Sequence, residues 1–400
     1  MGIDVVKYRK QEGVVFMLLI KNGYIKTMAG PDLENGCVLI GDDGKILAVG
    51  EIIDIPEGAE VIDARGALVT PGCVDAHCHI GLDNEAVGWE GKDYNEMADP
   101  LTPHLRAIDS INPMDEAFGL AIRAGVTTGC TGPGSAHVVG GTFVAIKLHG
   151  KRVDDMIVKN PIAMKCAFGE NPKRVYGQGG KKSPMTRMGT AALLRELLFK
   201  TKRYLEDKES GKNPGFDMKL EAMIPVIKGE LPLKAHAHRA DDIFTAIRIA
   251  REFGVGITLD HCTDGALIAD ELAKEGLPAF VGPSLGTKSK IELKNKSFTT
   301  PAALHRAGVP FSIITDAPVI PLQYLPMCAG LAVSAGLDME EAWRAITINP
   351  ARQIGIADRV GSLEPGKDGD VVIWNGNPLT DVGADAAVTI LEGKIIYRAG

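Results

Sequence analysis

The sequence predicts an α/β fold in two parts: a (β/α)8 barrel, and a small β-sandwich domain composed from both chain ends. Three observations lead there. Both ends are rich in short β signals separated by tight turns. The middle alternates apolar, β-branched runs with helical patterns. Several of those runs end in histidine or aspartate, just where an apolar strand would meet a loop.

The N-terminal runs MLLIKNGYIKTM, GCVLIGDDGKILAVG and EVIDARGALVT alternate apolar and polar residues, with NG and DG turns among them. GDVVIWNG and AVTILEGKIIYRA repeat the pattern near the C-terminus. Two β-rich ends around a different middle assign residues 1–70 and 358–400 to one composite domain and residues 71–357 to the barrel. The regular pattern begins at Met17, so the residues before it read as a loose extension.

The clearest unit of the middle is KAHAHRADDIFTAIRIAREFGVGITLDHCTDG. LKAHAH reads as a strand. Asp241 or Asp242 can cap a helix that places Ile243, Phe244, Ile247 and Ala250 on one face; Gly254 ends it, and VGITLDH is the next strand. Such a βαβ unit requires parallel strands. The rhythm continues through GALIADELAKEG, LPAFVGPS, PAALHRAG and VPFSIITDAP. No GxGxxG follows the first strand, so a dinucleotide-binding fold lacks support. Repeated units over this length fit a TIM barrel, which takes about 250 residues.

The chain has 400 residues, 45% hydrophobic and 24% charged, with a formal net charge of −7. That mixture belongs to soluble globular chains. The lack of a Lys/Arg-rich run argues against nucleic acid as a partner. No apolar run is long enough to span a bilayer. The short VVFMLLI run leads directly into a strand and turn with no small-residue cleavage site, so a cytoplasmic protein is expected. The cysteines, Cys37, Cys73, Cys78, Cys130, Cys166, Cys262 and Cys328, are odd in number and form no CxxC pair, which fits buried reduced thiols.

The chemistry gathers at strand ends. VDAHCHI carries His77 and His79, LKAHAH carries His236 and His238, ITLDH ends in His261 and FSIITD in Asp316. In a (β/α)8 barrel the C-terminal strand ends form the rim of the active site. Residues i and i+2 share a strand face, so His77 and His79 aim into one cavity while Cys78 faces away. Paired neutral imidazoles are well placed to hold a metal. Singly, each piece has a blander reading: a chance HxH, a hydrogen-bonded structural His261, a turn cap at TDAP. Their combination in one βα series points to a shared metal site. His104, His149 and His305 lack that context and read as surface or core residues. His137, in GPGSAHVVGG, fits either a cavity wall or a structural position.

In this order the motifs resemble those of the metal-dependent amidohydrolase superfamily, in its imidazolonepropionase- and prolidase-like branch. TPGCVDAHCH resembles the first-strand motif and GVTTGCTGPGS the second strand. HAH and DHCTDG are similar to the fifth and sixth strands, and ITDAP to the eighth. AITINPARQIGIADRVGSLEPGKDGDVVIW resembles the return from barrel to β domain. The resemblance runs from about Met17 to the C-terminus. It implies that His77 and His79 bind the more buried metal, that His236 and His261 bind a second where there is one, and that Asp316 touches metal and moves protons. His238 would lie beside the site and contact substrate or bound water. Members with two metals carry a bridging carboxylate, from Glu or a carboxylated lysine, and PIAMKCAFGEN offers Glu170 and Lys165. Five apart, they face opposite sides of a regular strand, so only one enters the barrel. Glu170, at the strand end, is preferred; carboxylated Lys165 is the alternative, and with neither the site is mononuclear. The implied cofactor is a divalent metal, Zn2+, one or two per chain.

The implied reaction is cleavage of a C–N bond in an amide, cyclic amide or dipeptide-like substrate by metal-activated water. His137, Arg239, Lys288 and Lys290 are candidate substrate contacts, the cations for a carboxylate, with solvated surface lysines as the plainer reading. The basic segment GENPKRVYG can guard the mouth or pack on a neighbouring subunit. The expected partners are a small-molecule substrate and further copies of the chain, without nucleic acid or membrane. Two other functions compete. A deaminase of an amino-heterocycle is weakened because Arg239 and Ala240 stand where deaminases keep a glutamate. An inactive assembly scaffold is disfavoured because the ligand residues are all retained.

Overall fold

The structure is a computed structural model that describes residues 5–6, 17–180 and 182–400. Its centre is a nearly closed eight-stranded barrel sheet. In chain order the strands are β1 (Cys73–Cys78), β2 (Val126–Thr131), β3 (Val139–Lys147), β4 (Ile157–Ala167), β5 (Leu233–Ala237), β6 (Ile257–His261), β7 (Ala279–Val281) and β8 (Phe311–Ile313). Each pairs with its neighbours in sequence. The β8–β1 seam is bridged just beyond the strand ends. Asp316 N–H donates to His77 O at 3.2 Å, His79 N–H donates to Ala317 O at 2.7 Å, and Thr315 N–H donates to Asp75 Oδ2 at 2.9 Å.

The barrel departs from eight parallel strands. β3 runs antiparallel to both β2 and β4, while β1–β2 and the pairs from β4 through β8 are parallel. The reason is the connection. The glycine-rich turn between β2 and β3 is too short for a crossover helix, and a short connection returns the chain antiparallel.

Helices flank the parallel strands. Glu116–Arg123 follows β1, Arg187–Glu209 and Met218–Ile227 follow β4, Ala240–Phe253 follows β5, Ala269–Glu275 follows β6 and Thr300–Ala307 follows β7. Ala240–Phe253 buries Ile243, Ile247 and Ala250 against the barrel and ends at Gly254, whose φ of 66° suits a residue without Cβ. Its N-cap is Arg239 and has no side-chain cap bond, contrary to the expected aspartate cap. Both aspartates are engaged by guanidinium groups instead, Asp241 by Arg239 and Asp242 by Arg187.

The larger apolar clusters are three. Cys78, Ile80, Phe118, Val126 and Ile247 belong to the core between strands and helices. Val74, Phe143, Ile162, Phe280 and Ile314 fill a second cluster. A third lies in a nine-stranded sheet that draws strands from both chain ends. Leu68–Pro71 pairs antiparallel with Val371–Trp374, and Ile20, Val38, Val69, Val371 and Ile390 pack together. Val5–Val6 pairs antiparallel with Glu60–Asp63 in this sheet; the rest of the segment before Met17, expected to be a loose extension, lies outside the described residues. The seven cysteines are free and buried. No helix among the described residues is long and apolar enough to cross a membrane.

Candidate metal centre

The C-terminal strand ends bring His77, His79, His236, His238, His261 and Asp316 together. His77 and His79 leave β1 toward the cavity, and His77 stacks on Phe143 at 5.2 Å. Cys78, between them, packs outward as the two-residue period requires. On β5 the same period lines up Lys234, His236 and His238. A cavity of about 380 Å³ is lined by His77, His79, Lys165, His236, His261 and Asp316. Tyr94, Arg174 and Lys290 stand in its wall nearer the surface.

The imidazoles are arranged as ligands. His79 Nδ1 lies 2.7 Å from Gly132 O and His261 Nδ1 lies 2.7 Å from Gly282 O. A carbonyl only accepts, so each Nδ1 carries the proton and each Nε2 keeps a lone pair. His238 Nδ1 meets Thr263 Oγ1 at 2.7 Å, a hydroxyl that can donate or accept. Both ring nitrogens of His77 and Nε2 of His236 are buried without a hydrogen-bond partner among the described residues. Ligand atoms of His236, His238 and His261 lie within 4.8 Å of one another, as do those of His77, His261 and Asp316. Orphaned buried lone pairs at this spacing fit a divalent metal.

Electrostatics supports the same protonation states. Burial holds His77, His236 and His238 well below the ordinary histidine value and lowers His261 as well, so the rings are neutral at pH 7. For Asp316 burial opposes ionisation, but His261 and contacts from His77 and His79 outweigh it and hold the carboxyl well below its usual range. Asp316 Oδ1 lies 3.3 Å from His77 Nε2 and 3.2 Å from His79 Nε2.

Below the imidazoles lies a charged floor absent from the sequence reading. Asp260 is fully buried. Its Oδ2 accepts from Lys165 Nζ at 2.7 Å, its Oδ1 is 2.9 Å from Lys234 Nζ, and His77 Nδ1 is 3.2 Å from Oδ2. Burial works against this carboxylate too, but His77, Lys165 and Lys234 overcome it and lower its pKa. Lys234 Nζ also sits 3.8 Å from the centre of the Phe280 ring. Lys234 shares a strand face with His236, a signal that LKAHAH already carries.

Several expected site residues stand elsewhere. Lys165 lines the imidazole cavity and Glu170 does not. β4 ends at Ala167 and Gly169 turns the chain at φ 82°, so strand alternation stops before Glu170 is reached. Glu170 lines a neighbouring cavity of about 530 Å³ with Lys173, Arg174, Arg187 and Arg239. Arg239 is held by both oxygens of Asp241, at 2.9 Å each, and does not line the imidazole cavity. His137 is buried, accepts the Glu96 N–H at Nε2 (2.8 Å), and is not among the cavity-lining residues, although Ser135 and Ala136 are. Lys288 donates to Lys294 O, while Lys290 reaches the cavity wall.

A family model, that of the amidohydrolase family, matches residues 222–396. The crystal structure of an amidohydrolase from Thermotoga maritima MSB8 superposes with a TM-score of 0.92 at 42% sequence identity, covering 96% of this chain and all of that one. This chain belongs to the amidohydrolase superfamily. Within it, the chain falls in the imidazolonepropionase-like branch and is a hydrolase acting on C–N bonds. The imidazolonepropionase of Acidiphilium cryptum (strain JF-5) is 26% identical over 407 residues, covering 94% of this chain and 98% of that protein. Amidohydrolase tasK of Hapsidospora irregularis is 28% identical over 373 residues, which cover 85% of this chain but only 37% of tasK's length.

Proposed function

We propose that this amidohydrolase is metal-dependent and uses water to cleave the C–N bond of a small amide, cyclic amide or dipeptide-like substrate that bears a carboxylate. The observation that carries this reading is the set of buried imidazole nitrogens, several without a partner, turned on one cavity. His77, His79 and Asp316 would hold one ion, and His236, His238 and His261 a second. Lys165, which lines the cavity, is the preferred source of a further carboxylate by carboxylation, since Glu170 lines a neighbouring cavity. Zinc suits a site dominated by imidazole. When bound, such an ion acidifies water and polarises a carbonyl.

The chain's own groups supply the rest. Asp316, anionic, orients the water; one oxygen faces His77 and His79, and the other takes the proton and passes it to the leaving nitrogen. Phe143 and Tyr94 stack on the first pair of imidazoles and shield them from bulk water. Arg174 and Lys290 hold the substrate carboxylate at the mouth. We further propose that residues 1–70 and 358–400 form a unit apart from the barrel, supported by their shared sheet and core. A cytoplasmic location is supported by the unpaired cysteines, and self-association by Trp89, 87% exposed in the loop after β1.

The test is elemental analysis with a substrate screen. About two equivalents of divalent metal are expected, falling in Lys165→Ala and unchanged in Glu170→Ala. Hydrolysis of at least one N-acyl amino acid, dipeptide or cyclic amide acid should accompany them. Release of ammonia alone from a heterocycle would overturn the amide-cleaving assignment.

A further inference from the structure

One carboxylate beside the imidazoles, in the wall of the neighbouring cavity that Glu170 lines, has no part in the mechanism above. Glu292 lies in the loop after β7, with its side chain 1% exposed. Its two oxygens have different surroundings. Oε2 accepts the Glu170 N–H at 3.0 Å. A Cβ on Gly169 would stand 2.5 Å from that oxygen, so the glycine clears the space the carboxylate occupies. Oε1 has no hydrogen-bond partner among the described residues, yet it lies 3.6 Å from His236 Nε2 and 3.7 Å from His238 Nε2. Lys290 Nζ approaches the same oxygen at 3.6 Å, too far for a hydrogen bond.

Glu292 Oε1 and His236 Nε2 are both buried without a hydrogen-bond partner among the described residues, and such a pair is unfavourable unless positive charge lies between them. We propose that Glu292 is an anionic ligand to the divalent cation held by His236, His238 and His261. This rests on the metal-dependent reading and extends it, because the ligand set then includes the loop after the seventh strand. Three imidazoles and the Glu292 carboxylate, beside the carboxylated Lys165 proposed above, are donors suited to Zn2+ or Co2+. The Lys290 ammonium, 3.6 Å from Oε1, competes with the cation for that oxygen.

Chelator-stripped protein titrated with Co2+, followed by calorimetry and visible absorption, tests the proposal without reference to activity. Wild type should take two equivalents. Glu292→Gln keeps an acceptor for the Glu170 N–H but loses the charge; it should lose one equivalent, or bind it at least about tenfold more weakly. Lys290→Met should bind the same equivalent more tightly. Identical stoichiometry and affinity in wild type and Glu292→Gln overturns the role of Glu292 while leaving the metal-dependent reading intact. A wild type that takes no cobalt overturns both. Should Glu292→Gln not fold, Glu292→Asp, with the charge kept and the reach shortened, and Lys290→Met decide: unchanged affinity in both overturns the proposal.

Discussion

Asp260→Asn, in metal-stripped protein, perturbs the barrel floor most directly. The wild-type carboxylate holds Lys165 Nζ at 2.7 Å and Lys234 Nζ at 2.9 Å, and all three side chains are 0–1% exposed. Asparagine removes the negative charge and leaves two ammonium groups facing each other across an amide. Removing one partner of a buried ion pair costs roughly 3–5 kcal/mol, because the other charge is left without compensation. At about 2.1 cal/mol/K per residue, unfolding 400 residues carries an entropy near 0.84 kcal/mol/K, so Tm should fall by roughly 4–6 °C. The stacking of Lys234 on Phe280 tempers the loss but does not replace the carboxylate. Burial already lowers the Lys234 pKa, with Asp260 the chief group opposing that shift, so loss of Asp260 lets the amine discharge. Adding Lys234→Met to Asp260→Asn removes the stranded charge and should recover much of the melting temperature. Differential scanning calorimetry of the two single variants, the double variant and the wild type measures the coupling. An Asp260→Asn protein melting within about 1 °C of wild type, or a double variant less stable than both singles, would refute the reasoning.

Arg174→Ala should raise KM for a carboxylate-bearing substrate roughly tenfold with kcat little changed, since it removes binding common to ground and transition states; steady-state kinetics against an uncharged amide analogue is the control. Burial lowers His137 from the ordinary value to about 4, so the unfolded chain takes up protons that the folded chain refuses. Stability tied to this neutral ring is therefore complete above about pH 6.5 and lost as pH falls toward 4, up to roughly 3 kcal/mol. In urea titrations the stability of wild type relative to His137→Gln should decline across that window; a constant difference would rule the linkage out. Gly132→Ala would put a Cβ 2.3 Å from the Phe143 ring, which stacks on His77, and would disturb the carbonyl that orients His79. Both thermal stability and cobalt affinity should drop, stability by roughly 1–3 kcal/mol; unchanged values for both would show that Phe143 moves freely.

The sequence reading succeeded where a local rule decides. The period of two put His77 and His79 on one face and Cys78 on the other, and the helical period with Gly254 placed the helix between β5 and β6. It failed where the deciding contact is remote. Nothing local distinguishes Glu170 from Lys165, because the choice turns on where β4 stops and Gly169 bends the chain. The sole acid in GTKSKIELKNK, Glu292, looks like one charge on a basic loop; only the packing of that loop over β4 and β5 buries it beside His236. The antiparallel β3 was legible in principle, since a short Gly-rich turn cannot hold a crossover helix.

His261 breaks the period-two rule, and the backbone shows how. Asp260 and His261 are consecutive, so a regular strand would send them to opposite faces, yet both serve the barrel interior. His261 has φ 77°, Cys262 φ 44° and Asp316 φ 54°, all left-handed and none of them glycine. Each such residue carries roughly 1–3 kcal/mol of strain, which persists only where the surroundings over-determine the conformation. Here they do: His261 Nδ1 is tied to Gly282 O, Cys262 N–H to Ala237 O and Asp316 N–H to His77 O. Glycine would relieve the strain but would remove the imidazole or carboxylate that gives these positions their use. The strained turn at the end of β6 is thus a consequence of aiming His261 inward from a position where an unstrained strand, with Ile257 and Leu259 outward, would point it to the helices. This is also why a strand pattern could locate His261 at the rim without supplying a reason for it to face inward.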